Sequence, residues 1–415
     1  MMIRRLNQRL WLLSGITLLI SLLASILMGC GVARGTPAAT KTPAPSPAPK
    51  AAHQALYVGF AGTLIAFRAS DGNALWTHPN NGGFYSPVVD GDMLYTGADN
   101  EVGAQLLALR AGDGAVIWKT ALDRPTWAAP VLSDGVLYTT TRGSAWSSSG
   151  PSSSLYALDA QTGRILWRFQ TAGNLYPTPQ IAGDVIYAAI GAVKSGLGGY
   201  STTVIALNRH NGSVRWRTVI DEEISAPLVA HGAIYFSVYK KSLNALNAAT
   251  GAQLWKRSTP DWVVWITATD GDVLYTGMDG GKISALRPSD GAPLWTSTLP
   301  GGFDHYVDPS VAVRGGLMYV GSLSGYVAVL DAATGATRWR VCIANDSCDT
   351  PTDAADWSTP LVADGTIYMG VTMMHWHPVG ESPGDVFALD ATTGGILWQY
   401  HQFGGEVGTP ALADI

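Results

Sequence analysis

The chain has 415 residues, of which 47% are hydrophobic and only 14% are charged. Its formal net charge is −5 and it has no stripe of Lys and Arg, which argues against nucleic acid as a partner, because nucleic-acid binding depends on a basic surface. With 48 glycines and so few charges, the composition excludes a largely disordered body or one built from long charged helices.

The first 29 residues predict a segment for export. Arg4, Arg5 and Arg9 precede an apolar run that ends in Leu27-Met28-Gly29-Cys30. A charged start followed by an apolar run and a small residue is typical of a signal peptide. The last four residues resemble a bacterial lipobox, which implies cleavage before Cys30 and attachment of lipid to its sulfur. A permanent transmembrane anchor is the alternative, because the run is about long enough to span a bilayer.

Residues 30–54 predict a tether without a core of its own. The segment is rich in Pro, Ala and Thr, and its centre reads Thr-Pro-Ala-Pro-Ser-Pro-Ala-Pro. Such composition favours extended polyproline II structure and a semi-rigid spacer. We therefore expect an exported protein, anchored through lipidated Cys30 to the outer face of the cell membrane or to an outer membrane.

Residues 55–415 contain eight near-copies of one stretch, best seen in Ala157–Trp167, which reads ALDAQTGRILW. Each copy has an apolar strand end, a Thr-Gly, Asp-Gly or Asn-Gly turn, and a second strand that ends on Trp. We expect these tryptophans to be structural and to dock against the glycine turn of a neighbouring unit. They are Trp76, Trp118, Trp167, Trp216, Trp255, Trp295, Trp339 and Trp398.

Each unit holds four short strands, which predicts an all-β fold: an eight-bladed β-propeller with four-stranded antiparallel blades. The first unit begins on its second strand, at Leu56-Tyr57-Val58. The chain ends on an unmatched first strand around Ala411-Leu412. We therefore expect the C-terminal strand to complete blade 1, which closes the ring and leaves no large exposed edge.

The pattern Ala-x-Asp-x-x-Thr-Gly-x-x-x-Trp resembles the docking motif of the pyrroloquinoline quinone (PQQ) repeat family. It is complete at Ala157–Trp167 and Ala388–Trp398, whereas Arg68, Arg110 and Arg287 replace the Asp in three other copies. The family contains quinoprotein dehydrogenases and non-catalytic lipoproteins similar to the BamB-type subunit of outer-membrane protein assembly. The size, the lipobox and the tether resemble the second kind. The motif builds blades and does not itself bind quinone.

A ring of aromatic side chains is predicted at the mouth of the central channel. The long connections fall on one face of the propeller, and the position three residues before the Pro that starts an inner strand, or before Ala268 where it replaces that Pro, lies on the same face. Six of the eight positions are aromatic. The candidate ligand- or partner-binding residues are Phe84, Trp127, Tyr176, Trp265, Tyr306 and Trp357, with neighbouring His305 and Asp356. The alternative is that these aromatics plug the channel and cover the ends of the inner strands.

Cys342 and Cys348 form an even pair once Cys30 is lipidated. In an exported protein such a pair favours a disulfide that closes a loop, rather than a metal site. No catalytic signature and no complete set of metal ligands is present.

Two functions remain open on the sequence. The first is a membrane-anchored envelope lipoprotein that binds a protein or peptide partner without catalysis and without a cofactor. The second is a quinoprotein-type oxidoreductase, or a protein that binds a quinone-like ligand, with PQQ and calcium. The enzymes of the family place a disulfide between adjacent cysteines against PQQ, and this chain has no adjacent pair.

Overall fold

The structure is a computed structural model. It describes residues 53–100, 103–126, 128–142, 153–176, 178–193, 200–238, 241–259, 263–278, 281–299, 311–322, 325–343, 354–374, 383–403 and 407–415. All of them belong to one compact unit, Ala44–Ile415. The predicted signal segment, Cys30 and most of the tether lie outside the described residues. Within the described ranges, no helix has the length and apolar character needed to cross a membrane.

The described part of the chain is built from β-strands. In chain order they are β1 (Gln54–Arg68), β2 (Ala74–Gly83), β3 (Val88–Asp90), β4 (Met93–Asn100), β5 (Gly103–Arg110), β6 (Val116–Ala121), β7 (Val131–Ser133), β8 (Val136–Thr140), β9 (Ser153–Asp159), β10 (Ile165–Thr171), β11 (Asn174–Leu175), β12 (Gln180–Ala182), β13 (Val185–Val193), β14 (Tyr200–Asn208), β15 (Val214–Ile220), β16 (Leu228–Ala230), β17 (Ala233–Val238), β18 (Ser242–Asn247), β19 (Gln253–Ser258), β20 (Val263–Asp270), β21 (Val273–Met278), β22 (Lys282–Leu286), β23 (Pro293–Thr298), β24 (Val311–Arg314), β25 (Leu317–Gly321), β26 (Tyr326–Asp331), β27 (Thr337–Cys342), β28 (Ala354–Trp357), β29 (Leu361–Ala363), β30 (Thr366–Met374), β31 (Pro383–Asp390), β32 (Ile396–Phe403) and β33 (Ala411–Asp414).

These strands form eight antiparallel sheets, which are the blades of a propeller, so the predicted fold class is confirmed. Blade 1 contains β1, β2 and β33. Blades 2 to 8 contain β3–β6, β7–β10, β11–β15, β16–β19, β20–β23, β24–β27 and β28–β32. In blades 4 and 8 the innermost strand is split into two short pieces, β11 with β12 and β28 with β29. Each blade therefore has four strand positions from the axis outward.

Blade 1 joins the two ends of the described chain. Tyr57 on β1 pairs with Ala411 on β33, as the sequence predicts for a closing strand. The long β1 turns back on itself at Gly62, which has a φ of +84°. Its first part pairs with β33 and its second part pairs with β2, while the Ala69 N–H donates to the Gln54 carbonyl at 2.9 Å. The single element β1 thus supplies two of the four strand positions.

Neighbouring blades are locked together by the tryptophans of the outermost strands. Each indole N–H donates to a backbone carbonyl of the next blade, at 2.8–3.1 Å. The bonds run from Trp76 to Ala111, Trp118 to Ala160, Trp167 to Arg209, Trp216 to Ala248, Trp255 to Pro288, Trp295 to Ala332, Trp339 to Ala391 and Trp398 to Ala69. The last bond crosses the seam between blade 8 and blade 1.

The hydrophobic core is divided among the interfaces between blades. The second strand of each blade contributes a buried tyrosine, from Tyr57 in blade 1 to Tyr368 in blade 8. In seven blades this ring lies 5.9–6.2 Å from the tryptophan of the same blade, centroid to centroid. The described core clusters each join two adjacent blades, and one of them joins blade 8 to blade 1. Closure of the ring is therefore a packing event as well as a strand pairing.

The two faces of the ring differ in the length of their connections. On one face the first and second strands of a blade are joined by two-residue turns such as Asp134-Gly135 and Gly271-Asp272. The long connections 141–152, 194–199, 343–353 and 375–382 all leave from the opposite face. We call the first the turn face and the second the loop face.

Candidate functional site

The positions of the predicted aromatic ring recur at the loop face, where the innermost strand of a blade lies beside the end of its second strand. Trp265 pairs with Gly277 on β21, and Trp357 pairs with Val371 on β30. Single bridges join Phe84 to Ala98 and Ile224 to Val238. These backbones therefore occupy equivalent places in four blades.

Phe84, which is predicted to line the mouth of the channel, has a buried side chain. Its side chain is only 5% exposed and belongs to the core cluster between blades 1 and 2. Its ring meets the imidazole of His78 edge-on, with centroids 5.9 Å apart. The residue is buried because Gly59 brings the β1 backbone up against it; an added Cβ at Gly59 would lie 3.2 Å from Cβ of Phe84. Phe84 thus covers the end of an inner strand.

Tyr176 connects two blades. Its hydroxyl donates to the carbonyl of Ile224, the equivalent position of the next blade, at 2.8 Å. Burial raises the pKa of the Tyr176 phenol, and the nearby carboxylate of Glu223 acts in the same direction. The contacts of Tyr176 are those of a bridge between inner strands.

The other members of the predicted ring are described in part or not at all. Only the backbones of Trp265, Asp356 and Trp357 are described. Trp127, Tyr306 and His305 lie outside the described residues, as does Cys348, so their predicted roles stay predictions. Cys342 ends β27, at the start of a long connection on the loop face. Within the described ranges, no group of three or more His, Cys, Asp or Glu side chains is arranged to hold a metal ion.

A polar network at the base of the long connection 141–152 was not predicted. Asp123 is its centre: it forms an ion pair with Arg168, accepts from the Ser154 hydroxyl at 2.8 Å and accepts from the Thr141 hydroxyl at 3.1 Å. The Arg168 Nε–H also donates to Ser154 at 2.9 Å, and its guanidinium lies over the ring of Tyr156 at 5.2 Å. The network fixes both ends of the connection to the body of blade 3.

A second unpredicted pair lies at the base of the connection 375–382. His401 on β32 contacts the carboxylate of Asp385 on β31 at 2.5 Å between Nδ1 and Oδ1. Asp385 is buried, whereas His401 is partly exposed. Neither group has a sequence signal, because the partners are 14 to 45 residues apart and join only across strands.

Known proteins are similar to this chain in sequence. The family model described as "Outer membrane protein assembly factor BamB" matches residues 33–120, 61–196, 153–304 and 281–409. The outer membrane protein assembly factor BamB of Salmonella typhimurium is 28% identical over 148 residues, which cover 35% of this chain and 36% of that protein. The chain thus aligns with about a third of the length of the curated relatives it matches.

Solved structures share the fold. BamB from Moraxella catarrhalis superposes with a TM-score of 0.51 at 17% identity, covering 77% of this chain and 92% of that chain. Quinohemoprotein alcohol dehydrogenase from Comamonas testosteroni superposes with a TM-score of 0.53 at 14% identity, covering 87% and 71%. Since the family matches extend from residue 33 to residue 409, the chain belongs to the family of the outer membrane protein assembly factor BamB, a family of PQQ-repeat propellers.

Proposed function

We propose that this protein is a membrane-anchored envelope lipoprotein whose propeller is a non-catalytic scaffold for a protein or peptide partner. The observation that carries the proposal is the asymmetry of the ring. Every long connection leaves from the loop face, while the turn face has two-residue turns between first and second strands. Variable loops on a rigid scaffold are where binding residues concentrate.

The scaffold beneath these connections is held firmly. The Asp123 network ties the ends of the connection 141–152 to blade 3, and Tyr176 ties blade 4 to blade 5. A scaffold held in this way loses little conformational freedom when a partner docks, which favours affinity. The assembly factors that this chain is similar to are named for a role with other proteins, which supports a protein partner.

The first described strand begins on the turn face, where Gln54 pairs with Asp414. Anchoring through a lipid on Cys30 is the second part of the proposal. Two or more acyl chains, as the lipobox implies, give stable anchoring where a single chain does not.

The proposal is tested by shortening one connection on the loop face and lengthening one turn on the turn face. Residues 144–151 are deleted in one variant, and a Gly/Ser insertion of the same length is placed between Gly271 and Asp272 on the turn face as the control. We expect crosslinking pull-downs from the native envelope to lose partners with the first variant only, with thermal melting unchanged in both. Recovery of the same partners with both variants would exclude the loop face as the contact surface.

The role of the aromatic positions is tested separately. We expect Trp127→Ala and Trp357→Ala to fold normally and to weaken partner capture, because aromatic anchors carry much of the energy of an interface. Unchanged capture with both variants would show that these side chains only cover the inner strands.

The second candidate is a protein that binds PQQ with calcium, since a quinohemoprotein dehydrogenase shares the fold. The chain does not fit the enzyme site in one respect: its three cysteines are not adjacent, so the disulfide against the quinone has no counterpart. Titration with PQQ and calcium decides the matter. Ligand binding raises stability by ~2.7 kcal/mol at a hundredfold excess over Kd, so an unchanged Tm and absorbance spectrum would remove this candidate.

A further inference from the structure

The outermost strands of the propeller carry charges of one sign only. Acidic residues outnumber Lys and Arg in the chain, 31 to 26. The eight outermost strands β2, β6, β10, β15, β19, β23, β27 and β32 nevertheless contain no Asp or Glu. Their cations are Lys119, Arg168, Arg215, Arg217, Lys256, Arg257, Arg338 and Arg340. Charges on an edge strand discourage unwanted pairing, but that purpose does not require one sign.

Four of these eight cations lie on the neighbouring strands β15 and β19, in blades 4 and 5. Of the other four, three are engaged: Arg168 pairs with Asp123, Arg338 pairs with Asp331, and Arg340 lies over the ring of Tyr326. Lys119 is a single exposed cation on β6. On β15 the Arg215 guanidinium donates to the carbonyl of Asp184 at 3.1 Å. Within the described part of the chain, no ion pair or hydrogen bond involves the side chains of Arg217 or Lys256. The rim of blades 4 and 5 therefore carries the largest group of cations on the outermost strands.

Strand β15 has the features of an open template for pairing. It is the terminal strand of its sheet, so its outer backbone edge has no strand partner. Trp216 and Thr218 face blade 5, where they donate to the carbonyls of Ala248 and Gly251. The alternate residues Arg215, Arg217 and Val219 are exposed. Val219 is 65% exposed, the highest value among the large hydrophobic side chains of the described residues.

We propose that the outer edge of β15 binds an extended acidic segment of another polypeptide, which adds to blade 4 as a fifth strand. Strand addition uses the free backbone groups of the edge for affinity and alternate side chains for specificity. Directly opposite side chains on paired strands lie about 4.5–5.5 Å apart, and opposite charges there attract. Two carboxylates and one apolar side chain, at every second residue, match Arg215, Arg217 and Val219.

The charges at the ends of the strand limit the site. Asp221, Glu222 and Glu223 follow β15 directly, and Glu222 forms an ion pair with Lys241. An acidic segment is therefore attracted along β15 and repelled beyond Ile220. This limits the bound part of the segment to about the length of β15. A non-peptide polyanion would match the cations, but it would not use the backbone edge.

The test uses a seven-residue peptide in which one valine and two glutamates alternate with threonines, and a second peptide with lysines in place of the glutamates. We expect the acidic peptide to bind the full-length protein, measured by fluorescence anisotropy, and the basic peptide not to bind. Arg217→Glu should weaken the acidic peptide by at least about tenfold, since it replaces attraction with repulsion. Lys119→Glu on blade 2 is the matched control and should leave binding unchanged.

Amide hydrogen exchange on the complex adds a second readout, because strand addition must slow exchange at the edge amides of β15. Failure of the acidic peptide to bind, equal binding of both peptides, equal loss in the two variants, or unslowed exchange along β15 would each overturn the proposal. The variant lacking residues 144–151 separates this site from the loop face. It should keep peptide binding whether or not it loses its envelope partners.

Discussion

At the scale of single residues, the glycines of the docking turns set the spacing between blades. Gly114 has a φ of +71°, and an added methyl group there would lie 2.7 Å from Cε3 of Trp76. The same relation holds at the docking glycine of every other blade, including Gly72 against Trp398 across the seam. Both the backbone conformation and the contact therefore require glycine.

Gly114→Ala should lower the free energy of unfolding by about 2–4 kcal/mol, because it adds strain at positive φ to a clash with an indole. Gly112→Ala, two residues earlier in the same turn, is the control. An added methyl group at Gly112 meets nothing within 4 Å. Urea unfolding of both variants measures the difference, and equal losses would show that the contact with Trp76 does not set the spacing.

In three turns that depart from the repeat motif, an Arg–Asp ion pair takes the place of the Asp–Thr hydrogen bonds of the complete motif. In the complete motif Asp159 accepts from the amide and the hydroxyl of Thr162 at 2.9 and 2.8 Å. Where Arg110 replaces the Asp, Asp113 replaces the Thr, and the two form an ion pair at 2.7 Å. The hydrogen bond from the Ala115 N–H, with that from Arg110, lowers the pKa of Asp113. In the sequence each of these residues counts as a mismatch to the motif, because the exchange is visible only when the two positions are considered together.

At the scale of elements, the blade count follows from the sequence because its signals are local. In each unit a turn glycine that needs positive φ follows the end of the Ala-Leu strand by five residues and precedes a tryptophan by four. The side-chain contacts at the loop face have no such signal. Counting back from Pro87 selects Phe84, which bridges to Ala98 on β4, yet its burial depends on the approach of Gly59 from another blade. The Asp123 network likewise joins separate strands.

The closing strand β33 should be essential for stability. Leu412 pairs with Leu56 and packs in the core cluster between blades 8 and 1. Leu412→Asp buries an unpaired carboxylate in that seam, and we expect it to lower the free energy of unfolding by about 3 kcal/mol or more. Ile415→Ala, at a side chain that is 56% exposed, should have little effect. Thermal melting compares them, and equal Tm values would contradict the role of the seam.

At the scale of the whole molecule, alkaline pH should open the ring. Burial raises the pKa of the tyrosine on the second strand of all eight blades. For Tyr57 the pKa rises from 10.0 to about 12, through burial and then the nearby Asp92. Above pH 10 the unfolded chain loses these protons and the folded chain keeps them, so stability is complete below pH 10 and falls as pH rises toward 12.

The measurement is the urea midpoint at pH 9, 10, 11 and 12, with tyrosinate absorbance recorded beside it. We expect tyrosinate to appear together with loss of structure, and Tyr57→Phe to reduce the dependence on pH. Ionisation of all tyrosines near pH 10 in a protein that stays folded would contradict the burial of these hydroxyls.

Pairing of Gln54–Tyr57 with Ala411–Asp414 has a consequence for biogenesis. A ribosome makes β1 long before it makes β33. Every nascent copy therefore carries an unpaired strand edge until β33 emerges, and copies terminated before β33 keep that edge permanently. Proteases and holding chaperones thus have a simple mark by which to tell an unfinished ring from a finished one.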